Sequence, residues 1–326
     1  MPVKNTASFL EQCLDSILQQ TEKHWELIAI NDHSTDDSMT ILQSYAKKEA
    51  RIKVVMNEGQ GIIPALRLAY ATASGQLITR MDSDDIMTSY KLAVLKDQLI
   101  KNGRGYLATG QVAYFSNSGL GAGYLKYQNW LNALTAKGEN FQEIYKECVI
   151  PSPCWMIFRE DLEKCDAFQP NRYPEDYDLT FRFYENNLKV LPCRQVLHQW
   201  RDYPTRTSRT DAHYIDNRFL ALKLDYFLKL DYDSQRPLVV WGAGKKGKLI
   251  AKNLVNQQQP FSWVCNNENK LGKDIYGQIL KPIQFITELN HPQLIIAVAG
   301  EEAQLEIRDF LTDKNFLQGH DYFFFC

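Results

Sequence analysis

Apolar residues Phe9, Leu10, Cys13, Leu14, Ile17 and Leu18 recur with a period of about 3.6 residues, which predicts a helix near the start of the chain. Beyond it, short apolar β-rich runs at 25–30, 52–56 and 76–81 alternate with amphipathic stretches at 37–50 and 62–73. Such alternation specifies a mostly parallel sheet layered between helices, an α/β architecture. In sheets of this kind ligands bind beyond the carboxyl ends of the strands. The polar clusters Asn31-Asp32-His33-Ser34 and Asp82-Ser83-Asp84-Asp85 fall at those ends, so two sites are expected to converge on one edge.

Further along, the pattern predicts strands at 107–115, 154–158 and 189–192, an aromatic-rich helix at 124–134 and a helix at 175–186. The first domain is assigned to residues 1–209. A helix at 212–230 and a polar joint at 231–237 make a connection, assigned to 210–235. A second β-α-β pattern begins at Leu238 and runs through apolar segments at 249–255, 261–264, 294–299, 302–311 and 322–325. Residues 236–326 therefore read as a small doubly wound C-terminal domain.

Composition narrows the function classes. With 37 basic and 39 acidic side chains among 326 residues, the net charge of -2 removes the whole-chain electrostatic reason to expect a nucleic-acid binder or a polybasic membrane adherent. Apolar runs such as 294–299 fall far short of the roughly 20 residues that cross a bilayer. The first 20 residues lack the basic head of a secretory signal, and their apolar residues have helical period. Seven cysteines form an odd set with no C-x-x-C pair, which suggests ordinary thiols in a reducing cytoplasm. The expectation is a cytoplasmic chain, at most peripheral to the inner face of a membrane.

Three constellations carry candidate chemistry. In Arg80-Met81-Asp82-Ser83-Asp84-Asp85, three carboxylates crowd into four positions directly after a strand. Like charges so placed repel unless a cation sits among them, and hard oxygen donors suit Mg²⁺ or Mn²⁺ shared with phosphate oxygens. An acidic turn capping the next helix explains the same residues equally well. Pro174-Glu175-Asp176-Tyr177-Asp178 places acids at the start of a helix, where the helix dipole alone is sufficient reason for them. His198-Gln199-Trp200-Arg201-Asp202, followed by Arg206 and Arg209, reads as a loop of cations and one aromatic ring after a strand. Such arginines can clamp a phosphate or form a solvated face.

Taken in order, Pro2-Val3-Lys4-Asn5, Leu10-Glu11-Gln12-Cys13-Leu14-Asp15-Ser16-Ile17, Asn31-Asp32-His33-Ser34-Thr35-Asp36-Asp37-Ser38, Arg80-Met81-Asp82-Ser83-Asp84-Asp85 and Glu175-Asp176-Tyr177-Asp178-Leu179 resemble the motif series of family 2 glycosyltransferases of the GT-A fold. The resemblance covers roughly residues 1–209. It implies a metal-dependent, inverting transfer of a sugar from a nucleoside-diphosphate donor, a UDP-sugar by first choice, to a hydroxyl acceptor in a surface glycan or its lipid-linked precursor. By matched position it implies that Asp32 binds the nucleotide base, and that Asp82 and Asp84 form the D-x-D element at ribose, diphosphate and metal. Asp85 and Arg80 would lie beside the diphosphate, Asp176 would be the general base, and His198, Trp200 and Arg201 would close over the donor.

Three departures stand out. Asn31 occupies a position where the family usually shows aspartate, and Lys4 one where an aromatic residue is common. The family also places a buried strand ahead of the Pro-Val segment, where this chain has only Met1, so the first strand reads as truncated and a start upstream is expected.

In the C-terminal domain Gly242, Gly244 and Gly247 form a G-x-G-x-x-G after a strand and at the opening of a helix. Such glycines let amides approach a pyrophosphate. The fingerprint wants an acid after the second strand, and Cys265-Asn266-Asn267 offers none before Glu268, so a tight-turn, packing or docking role is favoured. Two other function classes remain: a nucleotide-dependent oxidoreductase or sensor centred on these glycines, and a non-catalytic, degenerate transferase acting as a binding partner.

Overall fold

The buried five-residue run Leu27–Asn31 (β2) is the middle strand of a parallel three-stranded sheet, between β1 (Pro2–Val3) and β3 (Ile52–Met56). A strand covered on both faces is apolar throughout, which is why Leu-Ile-Ala-Ile does not alternate. Helices α1 (Ala7–Leu18) and α2 (Ser38–Lys48) give Leu10, Leu14, Ile17 and Leu42 to one core cluster. Helix α3 (Ile62–Thr72) presents Ala65 and Ala69 to Ile28 and Ile30 in another. This computed structural model describes residues 1–116, 119–206 and 219–326. Arg209 and the start of the helix expected at 212–230 lie outside the described residues.

A second sheet of five strands has the order β4 (Leu77–Thr79), β7 (Trp155–Phe158), β6 (Tyr106–Phe115), β8 (Lys189–Arg201) and β5 (Ile86–Met87). Only β6 and β8 run parallel; the other pairs are antiparallel, so the sheet is mixed. Helices α4 (Lys91–Asn102), α5 (Ala122–Lys137), α6 (Arg159–Lys164) and α7 (Glu175–Glu185) complete this part. A groove of about 590 Å³ is lined by Leu27 and Ile28 of β2, Leu77–Thr79 of β4, and Met1, Met81 and Phe158. The Met1 amino group is buried there and donates to the Ile28 carbonyl at 2.8 Å.

The chain divides into two compact units, Met1–Asn140 with Val149–Arg206, and Phe141–Cys148 with the described residues 219–326. The second unit holds a six-stranded sheet in the order β11 (Asp274–Ile275), β12 (Gln278–Lys281), β10 (Ser262–Val264), β9 (Leu238–Trp241), β13 (Gln293–Ile296) and β14 (Tyr322–Phe324). All its pairs are parallel except β11–β12. Helices α8 (Phe219–Leu230), α9 (Lys245–Asn256) and α10 (Glu301–Thr312) accompany it. Phe141–Cys148, which the sequence pattern places in the first domain, belongs here. Tyr145 stacks on Phe325 at 5.3 Å and meets Phe227 and Phe323 edge-on, both at 5.6 Å. Glu143 accepts from Arg308 at 2.8 Å and Gln318 at 2.9 Å.

No helix among the described residues is long and apolar enough to cross a membrane. All seven cysteines are free thiols.

Candidate active site

Chain direction at the strand ends explains where the acids go. Asp32 follows β2 and is 3% exposed, and its carboxylate accepts from three groups. Asn57 Nδ2 donates to it at 2.6 Å, the Gly61 amide at 3.0 Å and Lys4 Nζ at 3.3 Å. Burial opposes the charge, but these donors outweigh it and hold the carboxyl below its ordinary range. Gly61 has φ of +94°, a left-handed conformation in which an L side chain would be strained. Lys4, read from the sequence as a departure in base recognition, thus pairs with Asp32 itself.

The turn Asp82-Ser83-Asp84-Asp85 lies between β4 and β5. Arg80, 8% exposed, donates through Nε to Asp82 Oδ1 at 3.1 Å and through Nη1 to Glu175 Oε1 at 2.8 Å. One guanidinium therefore bridges the acidic turn and the first residue of α7, Glu175, which lies 95 positions from Arg80. Its planar fork suits two carboxylates at once. Asp176 is the next residue. Burial and neighbouring Glu175 push its carboxyl up to about 7 against the pull of Arg80, and the charge of Asp82 adds to the rise. The third acid of this helix's first turn, Asp178, accepts from Arg182 Nε at 2.8 Å and serves the fold.

The remaining carboxyls of the turn differ among themselves. Asp84 is pushed up to about 6 by burial and by Asp85 and Asp82, and its Oδ2 accepts from the Tyr203 hydroxyl at 2.8 Å. Asp85 is fully buried, which pushes it up to about 7, opposed by Arg206. Asp82 is held below its ordinary range because Arg80 outweighs the effect of burial. Crowded carboxyls that resist ionisation fit a site completed by a cation. No cluster of three or more metal-ligating side chains occurs among the described residues. A divalent ion at Asp82 and Asp84 would then take its other oxygens from phosphate and water, as Mg²⁺ commonly does.

His198, Trp200 and Arg201 do not form the loop expected from the sequence. They are the last residues of β8, a strand of 13 residues instead of the four expected, which runs on through Pro192 and a register shift opposite Gly110 and Gln111. A Cβ at Gly110 would lie 2.4 Å from the Leu197 side chain, so close strand contact there requires glycine. Trp200 is core, 6% exposed, with its ring 5.0 Å from Tyr114 and 6.2 Å from Tyr127. His198 is fully buried with Nε2 3.0 Å from Asp85 Oδ2. Arg201 donates its amide to Asp85 Oδ1 and its Nε to the Asp84 carbonyl, both at 2.8 Å, and its guanidinium lies over Phe9 and Phe115.

Sequence reasoning missed Asn57, Tyr203 and Lys91, which hold Asp32, Asp84 and His198. None belongs to a motif; each reaches its partner only through the fold.

In the second unit the glycine turn joins β9 to α9. Gly242 has φ of +122°, and a Cβ at Gly247 would lie 2.0 Å from the Gly242 carbonyl oxygen. Trp263 Nε1 donates to that oxygen and Lys270 Nζ to the Ala243 oxygen, both at 2.8 Å. Two of the three glycines are thus explained by close packing, while a Cβ at Gly244 would meet open space.

The family model for Glycosyl transferase family 2 matches residues 1–166. An uncharacterized glycosyltransferase, EpsJ of Bacillus subtilis, is 28% identical over 98% of this chain and 96% of its own length. The Escherichia coli UDP-Glc:alpha-D-GlcNAc-diphosphoundecaprenol beta-1,3-glucosyltransferase WfgD is 25% identical over 71% of this chain and 84% of its own. Among solved structures, Staphylococcus aureus TarS 1-349 in complex with UDP-GlcNAc is 16% identical with a TM-score of 0.54, covering 78% of this chain and 70% of that one. With the family model spanning half of its length and the α/β architecture matching GT-A structures, this chain belongs to glycosyl transferase family 2.

Proposed function

We propose that the chain is an inverting glycosyltransferase that moves a sugar from a nucleoside-diphosphate donor, a UDP-sugar by first choice, to a hydroxyl of a surface glycan or its lipid-linked precursor. The observation that carries this reading is the Arg80 bridge. It joins a turn rich in carboxylates to the helix start bearing Asp176, so two acidic groups with different tasks share one site. WfgD, whose name specifies UDP-Glc and a diphosphoundecaprenol-linked acceptor, and the UDP-GlcNAc complex of TarS support the donor and acceptor classes.

In this reading Asp82 and Asp84 hold Mg²⁺ or Mn²⁺ together with the donor diphosphate, and Asp32 faces the nucleotide base. The cation's chemistry is to offset the negative charge that develops on the leaving diphosphate. Arg80 keeps Asp82 ionised, and Asp85 and Arg201 fix the turn beside the diphosphate. Asp176 accepts the proton of the acceptor hydroxyl as that oxygen bonds to the anomeric carbon. The bond from that carbon to the diphosphate oxygen breaks on the opposite face, and its electron pair leaves with the diphosphate. A carboxyl raised to about 7 is matched to this task, because a general base works best near the operating pH. The second unit serves packing or docking, and the enzyme works in the cytoplasm, at most peripheral to the membrane.

A panel of nucleotide sugars scored by thermal shift with and without Mn²⁺ tests the reading, since a ligand of the native state raises its stability. A UDP-sugar is expected to raise Tm only with the cation present, and Asp84→Ala to remove the gain. Stabilisation by no nucleotide sugar, or by nicotinamide dinucleotides in its place, would overturn it.

A further inference from the structure

A line of buried polar contacts runs behind the acidic turn. Lys91, the first residue of α4, is fully buried, an expensive place for an ammonium group. Its Nζ donates to the Pro153 carbonyl and lies 3.2 Å from His198 Nδ1. Burial pulls the Lys91 pKa down while Asp82 and Asp85 oppose that fall; as an ammonium, with three donors and no lone pair, Lys91 leaves Nδ1 to accept and puts the ring proton of a neutral imidazole on Nε2. Burial does keep His198 neutral, its pKa falling well below the ordinary value. Nε2 then donates to Asp85 Oδ2 at 3.0 Å, while the Arg201 amide occupies Oδ1 at 2.8 Å. Both oxygens of Asp85 are thereby fixed, and with them the turn carrying Asp84 and the end of β8 carrying Arg201.

We propose that Lys91 is a positioning residue for donor binding: it sets the tautomer of His198, and through Asp85 holds the Asp82–Asp85 turn and Arg201 in the geometry that receives a diphosphate and its cation. This rests on the transferase reading of the site. Lys91 lies outside every motif and touches none of the proposed donor-binding groups directly; its reach is two hydrogen bonds long.

The relay and the reading fail differently. In protein labelled with ¹⁵N-histidine, long-range ¹H–¹⁵N correlation spectra report the tautomer of each of the six histidines, and His198 is assigned by its loss in His198→Gln. A neutral Nε2–H ring is expected for His198, and an Nδ1–H ring or an imidazolium in the wild-type chain overturns the proposal with no variant required. Lys91→Met, which keeps the stem, should lose that tautomer preference. It should also raise KM for the nucleotide sugar and half-saturation for Mn²⁺ by up to about 10-fold, the low end of the cost of losing a direct partner of a metal ligand, with acceptor KM unchanged. His198→Leu should weaken donor binding likewise, and His198→Gln, whose amide can still donate to Asp85, should recover most of the loss. Wild-type donor KM in Lys91→Met, or an equal defect in His198→Gln and His198→Leu, would also overturn it. Failure of the wild-type chain to bind any nucleotide sugar would sink the transferase reading, whatever tautomer His198 shows.

Discussion

Asp176 sits where two opposing influences meet: burial and Glu175 disfavour its charge, while Arg80 favours it. The balance leaves a carboxyl that ionises near neutrality, and the sign of the pH dependence follows. A base must be unprotonated to act, so kcat/KM is expected to climb as pH rises through about 7. Asp176→Asn should abolish that limb and lower kcat by about 100- to 10,000-fold, the usual contribution of a general base, with donor affinity retained. A pH profile unchanged in the variant would remove Asp176 from the role. These acids were legible in the sequence because each stands in a short motif after a strand or at a helix start. What the motifs could not give was the pairing of Arg80 with Glu175, since a contact across 95 positions depends on the fold alone. His198, Trp200 and Arg201 were misread because the alternating burial of β8 is broken by Pro192 and a bulge, so a long strand looked like a short one with a loop behind it.

At the scale of elements, the acidic turn and the glycine turn are two solutions to close quarters. Asp84 and Asp85 in the first, and Asp176 at the start of α7, all bind protons more tightly in the folded chain than at the ordinary carboxyl value of about 4, because burial and neighbouring acids raise them to about 6 or 7. Raised carboxyls stabilise the fold at low pH, and that contribution is lost as pH climbs through their folded values. The free protein should therefore lose thermal stability between about pH 5 and about pH 7.5, and Mn²⁺ with UDP should restore more at the higher pH than at the lower. Equal metal effects at both would count against a cation among these groups. In the glycine turn, Gly247→Ala should destabilise the second unit by about 1–3 kcal/mol, since its methyl must displace the Gly242 carbonyl. Gly244→Ala should change Tm little, because φ there is -79° and the methyl points into open space. Comparable losses in both variants would show that packing is not what selects the glycines.

On the scale of the whole molecule, the boundary drawn from sequence at 209 follows a change of pattern along the chain, but the units are drawn by contacts. Hydropathy could not show that Phe141–Cys148 leaves the first unit's run to lie among the aromatic rings of the second. Nothing local distinguishes Tyr145 from a core residue of its own neighbourhood; its 2% exposure reflects Phe227, Phe323 and Phe325, which arrive at least 82 positions later, and Asp231, which accepts from its hydroxyl. A fragment of residues 1–206 would strip Tyr145 of all three rings and Glu143 of Arg308 and Gln318. Exposed aromatic surface of this kind favours association. The fragment should elute as soluble aggregates and bind a hydrophobic dye, and Tyr145→Ser within it should reduce both. In the full chain Tyr145→Ala should cost about 3–5 kcal/mol in the second unit, the range for truncating a large buried aromatic. A monodisperse fragment that leaves the dye dark would mean that this segment finds cover without its aromatic partners.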